Sequence, residues 1–308
     1  MLILKIKNKL CYYTKKLLYF ISSTVFSNSI QTRLGYSKNT KLLIIHADDM
    51  GLSGSANAAT IESMIKGMVN SGSIMVPCPK FQEIANFARS HQEADLGIHL
   101  TLTSEWPLYK WPTILPADEV SSITDRDGFM LESTKELLKS AEVAEVEKEL
   151  RAQLKVATES GIDLTHIDSH MFAAFSSQEI LNIYIALGKE FRLPVLLTKD
   201  IYFRNHNIPN EILVDHLYCA EPEKYTIGLK NYYGQILKSL KPGLNCILIH
   251  PAFNDAEMQN ITNHIINYGA SWRQDDFDFF TSNDCRLILR NNNIQLITWR
   301  EIRNKLVR

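Results

Sequence analysis

The stretch LLIIHADDMG, residues 42 to 51, runs the apolar residues Leu42, Leu43, Ile44 and Ile45 directly into His46, Ala47, Asp48 and Asp49 before Gly51. Adjacent carboxylates repel, and burying either is costly unless a cation or a hydrogen-bond donor compensates. The compensating groups must come from elsewhere in the chain. Further reactive side chains follow other apolar runs: His99 in GIHLTLT, Asp168 and His170 in THIDSH, and His250 in CILIHPAFND. A catalytic metal needs about three protein ligands and an open position, and two imidazoles with one carboxylate would meet that need. Nitrogen and oxygen ligation of this kind suits Zn²⁺, with Mg²⁺, Mn²⁺ or Co²⁺ as alternatives. Singly, a strand histidine more often serves structure, and Asp-Asp before Gly commonly forms a turn. Their combination is what points to a metal.

Those residues need elements to bring them together. From residue 41 onward, short apolar runs alternate with longer amphipathic stretches, the pattern of βα units around a parallel sheet. The predicted strands are 42–46, 73–76, 96–100, 164–168, 194–197, 213–217, 245–249 and 294–298. Eight parallel strands close a barrel of the TIM type, and their carboxyl ends then share one rim, where residues distant in sequence converge. An α/β fold with a single domain over residues 40–308 is therefore expected. SANAATIESMIKGMVNSG reads as a helix ending near Gly72, SSQEILNIYIALGKEFRLP as another closed by Pro194, and residues 133 to 161 as the longest helix. The Glu and Lys pairs of that longest helix read most simply as a solvated face. Between residues 103 and 132 lies an irregular loop rich in Pro and turn residues, carrying Trp106, Tyr109 and Trp111. A loop of that length in a compact domain is usually functional or disordered, and the aromatic residues favour a function. Its aromatic rings would either stack on sugar rings or pack as a lid on the barrel.

Composition narrows the partners. The 308 residues are 45% hydrophobic with a formal net charge of -1, so no global field draws nucleic acid or an anionic membrane, and a small neutral or mixed substrate fits better. Cys11, Cys78, Cys219, Cys246 and Cys285 form no C-x-x-C pair, which argues against a thiolate zinc site and a dense disulfide framework. Residues 1–30 differ from the rest. A basic start followed by a short apolar stretch and small polar residues matches a secretory signal, which would place the protein in the periplasm or outside the cell. An amphipathic leader helix is the alternative reading. The stretch is too short and too serine-rich for a stable membrane span.

With HADDMG, GIHLTLT, THIDSH and the later His-Pro in this order over roughly residues 41 to 300, the chain resembles the YdjC-like chitooligosaccharide deacetylase family of metal-dependent carbohydrate deacetylases. The resemblance implies an irregular (β/α) barrel and a divalent metal, Mg²⁺ or Zn²⁺. It implies that Asp49, His99 and His170 hold the metal, that Asp48 is the base activating a water, and that His250 is an acid. Asp168 would orient a neighbouring histidine, as metal sites commonly require. One departure stands out: many members continue the Asp-Ser-His motif with further histidines, whereas this chain reads Met171, Phe172, Ala173 and Ala174. The more apolar wall bears on substrate choice rather than on metal binding.

The implied reaction is hydrolysis of acetyl groups on an acetylated amino sugar or oligosaccharide. An amide is a poor electrophile, so activation of the carbonyl and protonation of the leaving nitrogen are both needed. Arg273 and Asp275 in SWRQDD would position these groups or form a structural salt bridge, and Trp106 and Trp111 would contact substrate. Two rival readings remain: a metal-independent glycosidase pairing Asp48 or Asp49 with Asp168, and a sugar-binding barrel without catalysis. The first leaves His99 and His170 without a role. A homo-oligomer is compatible with the sequence.

Overall fold

The computed structural model describes residues 29–198 and 212–308. The leader, apart from its last two residues, lies outside them, as does Cys11. Seven parallel strands form one sheet: β1 Lys41–Met50, β2 Ser71–Ile74, β3 Leu96–Leu100, β4 Ile167–Ser169, β5 His216–Cys219, β6 Gly243–Ile249 and β7 Ile294–Leu296. Their order is β4-β3-β2-β1-β6-β5, with β7 pairing the first residues of β1. The predicted strand 194–197 is not one. Its chain makes single parallel bridges, Val195 to Ile167 and Thr198 to Val214, which link the sheet's two ends. The result is the irregular, TIM-like (β/α) barrel.

Strand composition follows from burial on both faces, as parallel sheets require. In β1 every residue after Lys41 is buried. Leu43, Ile45 and Ala47 pack outward against Tyr233, Trp272 and Phe280 of the surrounding helices, while Leu42 and Ile44 face inward with Leu244, Cys246 and Trp299. The same period of two turns the serines of β2, His99 of β3, His166, Asp168 and His170 around β4, and His250 after β6 towards the interior. The lower interior is apolar, and Trp299 and Ile302 of the last helix, Trp299–Leu306, help to fill it.

That last helix is fastened by Asp163, just ahead of β4. Its carboxylate accepts from Arg303 Nη1 at 2.6 Å and Nη2 at 3.0 Å, and pairs with Arg300. Burial alone would raise the Asp163 pKa, but the two guanidinium groups outweigh it and hold the carboxyl at about 2, below its ordinary 3.8. A depressed carboxyl stabilises the fold above its unfolded value and loses that contribution as pH falls through the folded one. Asp163→Asn is therefore expected to lower the melting temperature at neutral pH, with the deficit shrinking as pH falls from 3.8 towards 2. Melting curves across that range check it.

Several predicted boundaries shift. The first helix stops at Lys66, capped by Gly67, and not at Gly72, because Ser71 and Gly72 are already paired in β2. Residues 133–161 form two helices, Thr134–Ser140 and Val143–Glu159, broken at Ala141, whose backbone is extended. Nor is the longer one simply solvated. Glu149 and Gln153 are fully buried: Glu149 accepts from the backbone N–H groups of Ile114 and Leu115, and Gln153 brackets the backbone of Thr101. Glu149 thereby tethers the 103–132 loop, and Gln153 holds the chain that leads into it from β3. Cys78, Cys246 and Cys285 are buried, and no disulfide occurs among the described residues.

Candidate metal centre

The two carboxylates of β1 reach the same place through an irregularity in pairing. Ala47 pairs with Gly72 and Met50 with Ile74, so Asp48 and Asp49 together oppose Ser73 alone. This is a β-bulge, which re-aims a side chain. Along a regular strand Asp49 would point outward with Ala47. Its φ of 67° instead turns it to the barrel mouth beside Asp48. Gly51 follows with φ 94°, and a Cβ there would meet the Met75 carbonyl oxygen at 2.8 Å.

Each buried carboxylate finds a cation. Asp49 Oδ2 accepts from Arg273 Nη2 at 2.8 Å. Burial pushes the Asp49 pKa up, but the Arg273 guanidinium together with His170 and His250 outweighs it and holds the carboxyl well below the usual range. Asp48 Oδ1 lies 3.2 Å from His46 Nε2, the same nitrogen that meets Asp168 Oδ2 at 2.9 Å. Burial disfavours a charged His46, yet Asp168 and Asp48 push its pKa up to about 10, so it is an imidazolium at neutral pH. The residue that opens the HADD motif thus balances the carboxylates beside it.

Asp49 Oδ1 is buried and has no hydrogen-bond partner. It lies 3.6 Å from His99 Nε2 and 3.5 Å from His170 Nδ1, and those two nitrogens are 3.3 Å apart. Ligands about 2.0–2.2 Å from a tetrahedral ion are separated by roughly 3.3–3.6 Å. The triangle is thus compatible with a divalent metal. A carboxylate grips the far nitrogen of each ring: Asp168 Oδ2 lies 3.0 Å from His99 Nδ1, and Glu105 lies 3.0 Å from His170 Nε2. Asp168 thus stands where an orienting group is expected.

His250 Nε2 lies 3.7 Å from Asp48 Oδ2, and its ring sits edge-on to Tyr268. Burial lowers its pKa more than the two carboxylates raise it, so it is held below its ordinary value. Its backbone N–H donates to Asp276 at 2.9 Å, and Asp276 also accepts from Tyr233. Asp275, the neighbour expected from sequence, is exposed. Arg273 does form a buried salt bridge, with Asp49.

The aromatic loop lies against this centre with both of its tryptophans buried. Trp111 is fully buried, donates from Nε1 to the Thr103 carbonyl at 3.0 Å, and meets the His170 ring at 5.9 Å. Trp106, 6% exposed, covers the Arg273 guanidinium at 5.3 Å. The lid reading therefore describes Trp111, whose buried ring has no face left for stacking. Trp111→Ala is expected to destabilise the protein by about 3–5 kcal/mol, the usual range for a large core aromatic, and urea unfolding measures it.

Sequence reasoning missed Glu105, Asp276 and the role of His46. Glu105 follows Thr103 and Ser104 in a loop, and only its contact with His170 reveals it. Asp276 lies one residue beyond the carboxylate singled out. Period-two alternation along β1 could have placed His46 inside with Asp48.

A parallel barrel with a buried carboxylate and two imidazoles gathered at the carboxyl ends of its strands defines an α/β-barrel protein with a metal-compatible centre. The chain belongs to the YdjC-like protein family, whose profile matches residues 42–291. The carbohydrate deacetylase of Thermoanaerobacter pseudethanolicus is 29% identical over 260 residues, covering 84% of this chain and 98% of that protein. That of Thermus thermophilus is 29% identical over 287 residues, covering 89% and 98%. A solved structure from Enterococcus faecalis V583, described as a candidate cellobiose-phosphate cleavage protein, superposes with a TM-score of 0.70 at 25% identity, covering 85% of this chain and 99% of that one. Among the described residues no helix is long and apolar enough to cross a membrane.

Proposed function

We propose that this chain is a metal-dependent carbohydrate deacetylase that hydrolyses the acetamide of an acetylated amino sugar or oligosaccharide. The observation that carries the reading is the unpartnered, buried Asp49 Oδ1 facing His99 Nε2 and His170 Nδ1. These three residues would hold the metal. Two imidazoles favour Zn²⁺ over Mg²⁺, which prefers an oxygen shell. When bound, the ion supplies Lewis acidity to the acetyl carbonyl and acidifies a water.

The chain's own groups move the proton. Asp48 takes it from the attacking water, its position set by His46 at 3.2 Å. His250 Nε2, 3.7 Å from Asp48 Oδ2 and held below its ordinary pKa, receives the proton and delivers it to the departing nitrogen. Asp276 fixes the backbone that carries His250. Relatives named carbohydrate deacetylases support the substrate class. Export of the chain is proposed on the composition of residues 1–30 alone.

The glycosidase reading gains no support, because Asp48 and Asp168 both engage His46 Nε2 instead of flanking a cleft. Acetate release from a panel of N- and O-acetylated sugars, with chelator and with added metal, tests the proposal. Metal-dependent acetate release is the expected result. Cleavage of glycosidic bonds in chelator without acetate release would overturn it.

A further inference from the structure

The outer partners of the three proposed ligands come from different kinds of structure. Asp168, behind His99, belongs to β4, and Arg273, behind Asp49, belongs to helix Ala270–Thr281. Glu105, behind His170, comes from the irregular loop. Both of its carboxylate oxygens lie within reach of His170 Nε2, at 3.1 and 3.0 Å. The next residue, Trp106, covers the guanidinium that holds Asp49. Of two consecutive loop residues, one therefore supports a proposed ligand and the next covers the support of another.

The loop has its own anchors. Trp111 N donates to Ser104 Oγ at 3.1 Å, Tyr109 Oη to the Leu52 carbonyl at 2.8 Å, and Glu149 holds the backbone of Ile114 and Leu115. These contacts involve none of the proposed ligands, so they place Glu105 against His170 whether or not an ion is present. His170 itself sits where β4 passes into a short helical segment whose next two residues, Met171 and Phe172, have φ of 50° and 51°. Its ring is steered by Glu105 and by the edge of Trp111.

We propose that Glu105 is a positioning residue for the metal: it turns His170 so that Nδ1 faces Asp49 and His99. This rests on the reading of Asp49, His99 and His170 as metal ligands. A carboxylate accepting from the outer N–H of a ligating imidazole fixes its tautomer and raises its basicity, and losing it commonly lowers metal affinity by about 10–100-fold.

The test is zinc affinity of the full chain by chelator competition, for wild type, Glu105→Gln and Glu105→Ala, together with melting temperatures of the metal-free proteins. Glu105→Ala is expected to bind zinc about 10–100-fold more weakly with an unchanged metal-free melting temperature. Glu105→Gln, whose amide oxygen still accepts, should recover most of the affinity. Equal zinc affinity in Glu105→Ala and wild type overturns the proposal. So does an equal loss in both variants with a lowered metal-free melting temperature, which would mark a folding contact. A wild-type chain that binds no zinc at all overturns the metal reading itself, before any variant is compared.

Discussion

Asp48→Asn is expected to retain bound metal while losing roughly 10²–10⁴-fold in turnover, the contribution typical of a positioned general base. The substitution keeps the shape and an oxygen acceptor, but an amide cannot take a proton at neutral pH. Asp48 lies outside the triangle formed by Asp49, His99 and His170, and its near neighbours are His46 at 3.2 Å and His250 at 3.7 Å. Metal content of the purified variant, read beside acetate release, decides the matter. Loss of the metal in Asp48→Asn with retention in Asp49→Asn would show that the two carboxylates have exchanged roles.

His99→Ala and His170→Ala are each expected to lose both bound metal and acetate release. Each removes one of three donor atoms that lie 3.3–3.6 Å apart, and two remaining ligands do not hold a divalent ion against water. The two variants should differ in fold stability. His99 stands between Asp168 and Asp49, so its removal leaves buried carboxylates facing each other with less compensation. His170→Ala also takes a partner from Asp49, but Asp49 keeps Arg273, and the Glu105 it strands has a side chain 22% exposed that can be hydrated. Elemental analysis and melting curves of the metal-free variants test both parts. If both variants keep metal and activity, the deacetylase assignment to this centre fails.

Much of the arrangement was legible because strand period and barrel topology act together. Apolar runs ending in Asp48, His99, Asp168 and His250 predicted convergence at one rim, and parallel pairing such as His99 opposite Asp168 provides it. What was not legible depends on tertiary contact. The 194–197 run has strand composition, yet it makes only single bridges because its neighbours pair mainly elsewhere. Glu149 and Gln153 sit among charged residues on a helix, and nothing local marks them as buried until the backbone they hold, at Ile114, Leu115 and Thr101, is in place. Arg273 lies more than two hundred residues from Asp49, and its own surroundings, Trp272 and Gln274, give no hint of that pairing. The tryptophans carry the same lesson. Aromatic residues in a long loop suit both a sugar and a core, and only Trp111's burial separates the two.

The left-handed backbone at Asp49 narrows what evolution can do at that position. Among non-glycine residues, those with short polar side chains such as Asp and Asn best tolerate such a φ, and of these only Asp offers a charged oxygen. Glycine would relax the backbone and remove the donor, while Glu would fit the bulge poorly and overreach the neighbouring imidazoles. Asp48 is under no such double constraint, since its φ is not among the positive ones. On the proposed roles, position 48 should therefore change before position 49 along a lineage drifting away from activity. Descendants that have lost turnover but still capture an ion would be the first to arise.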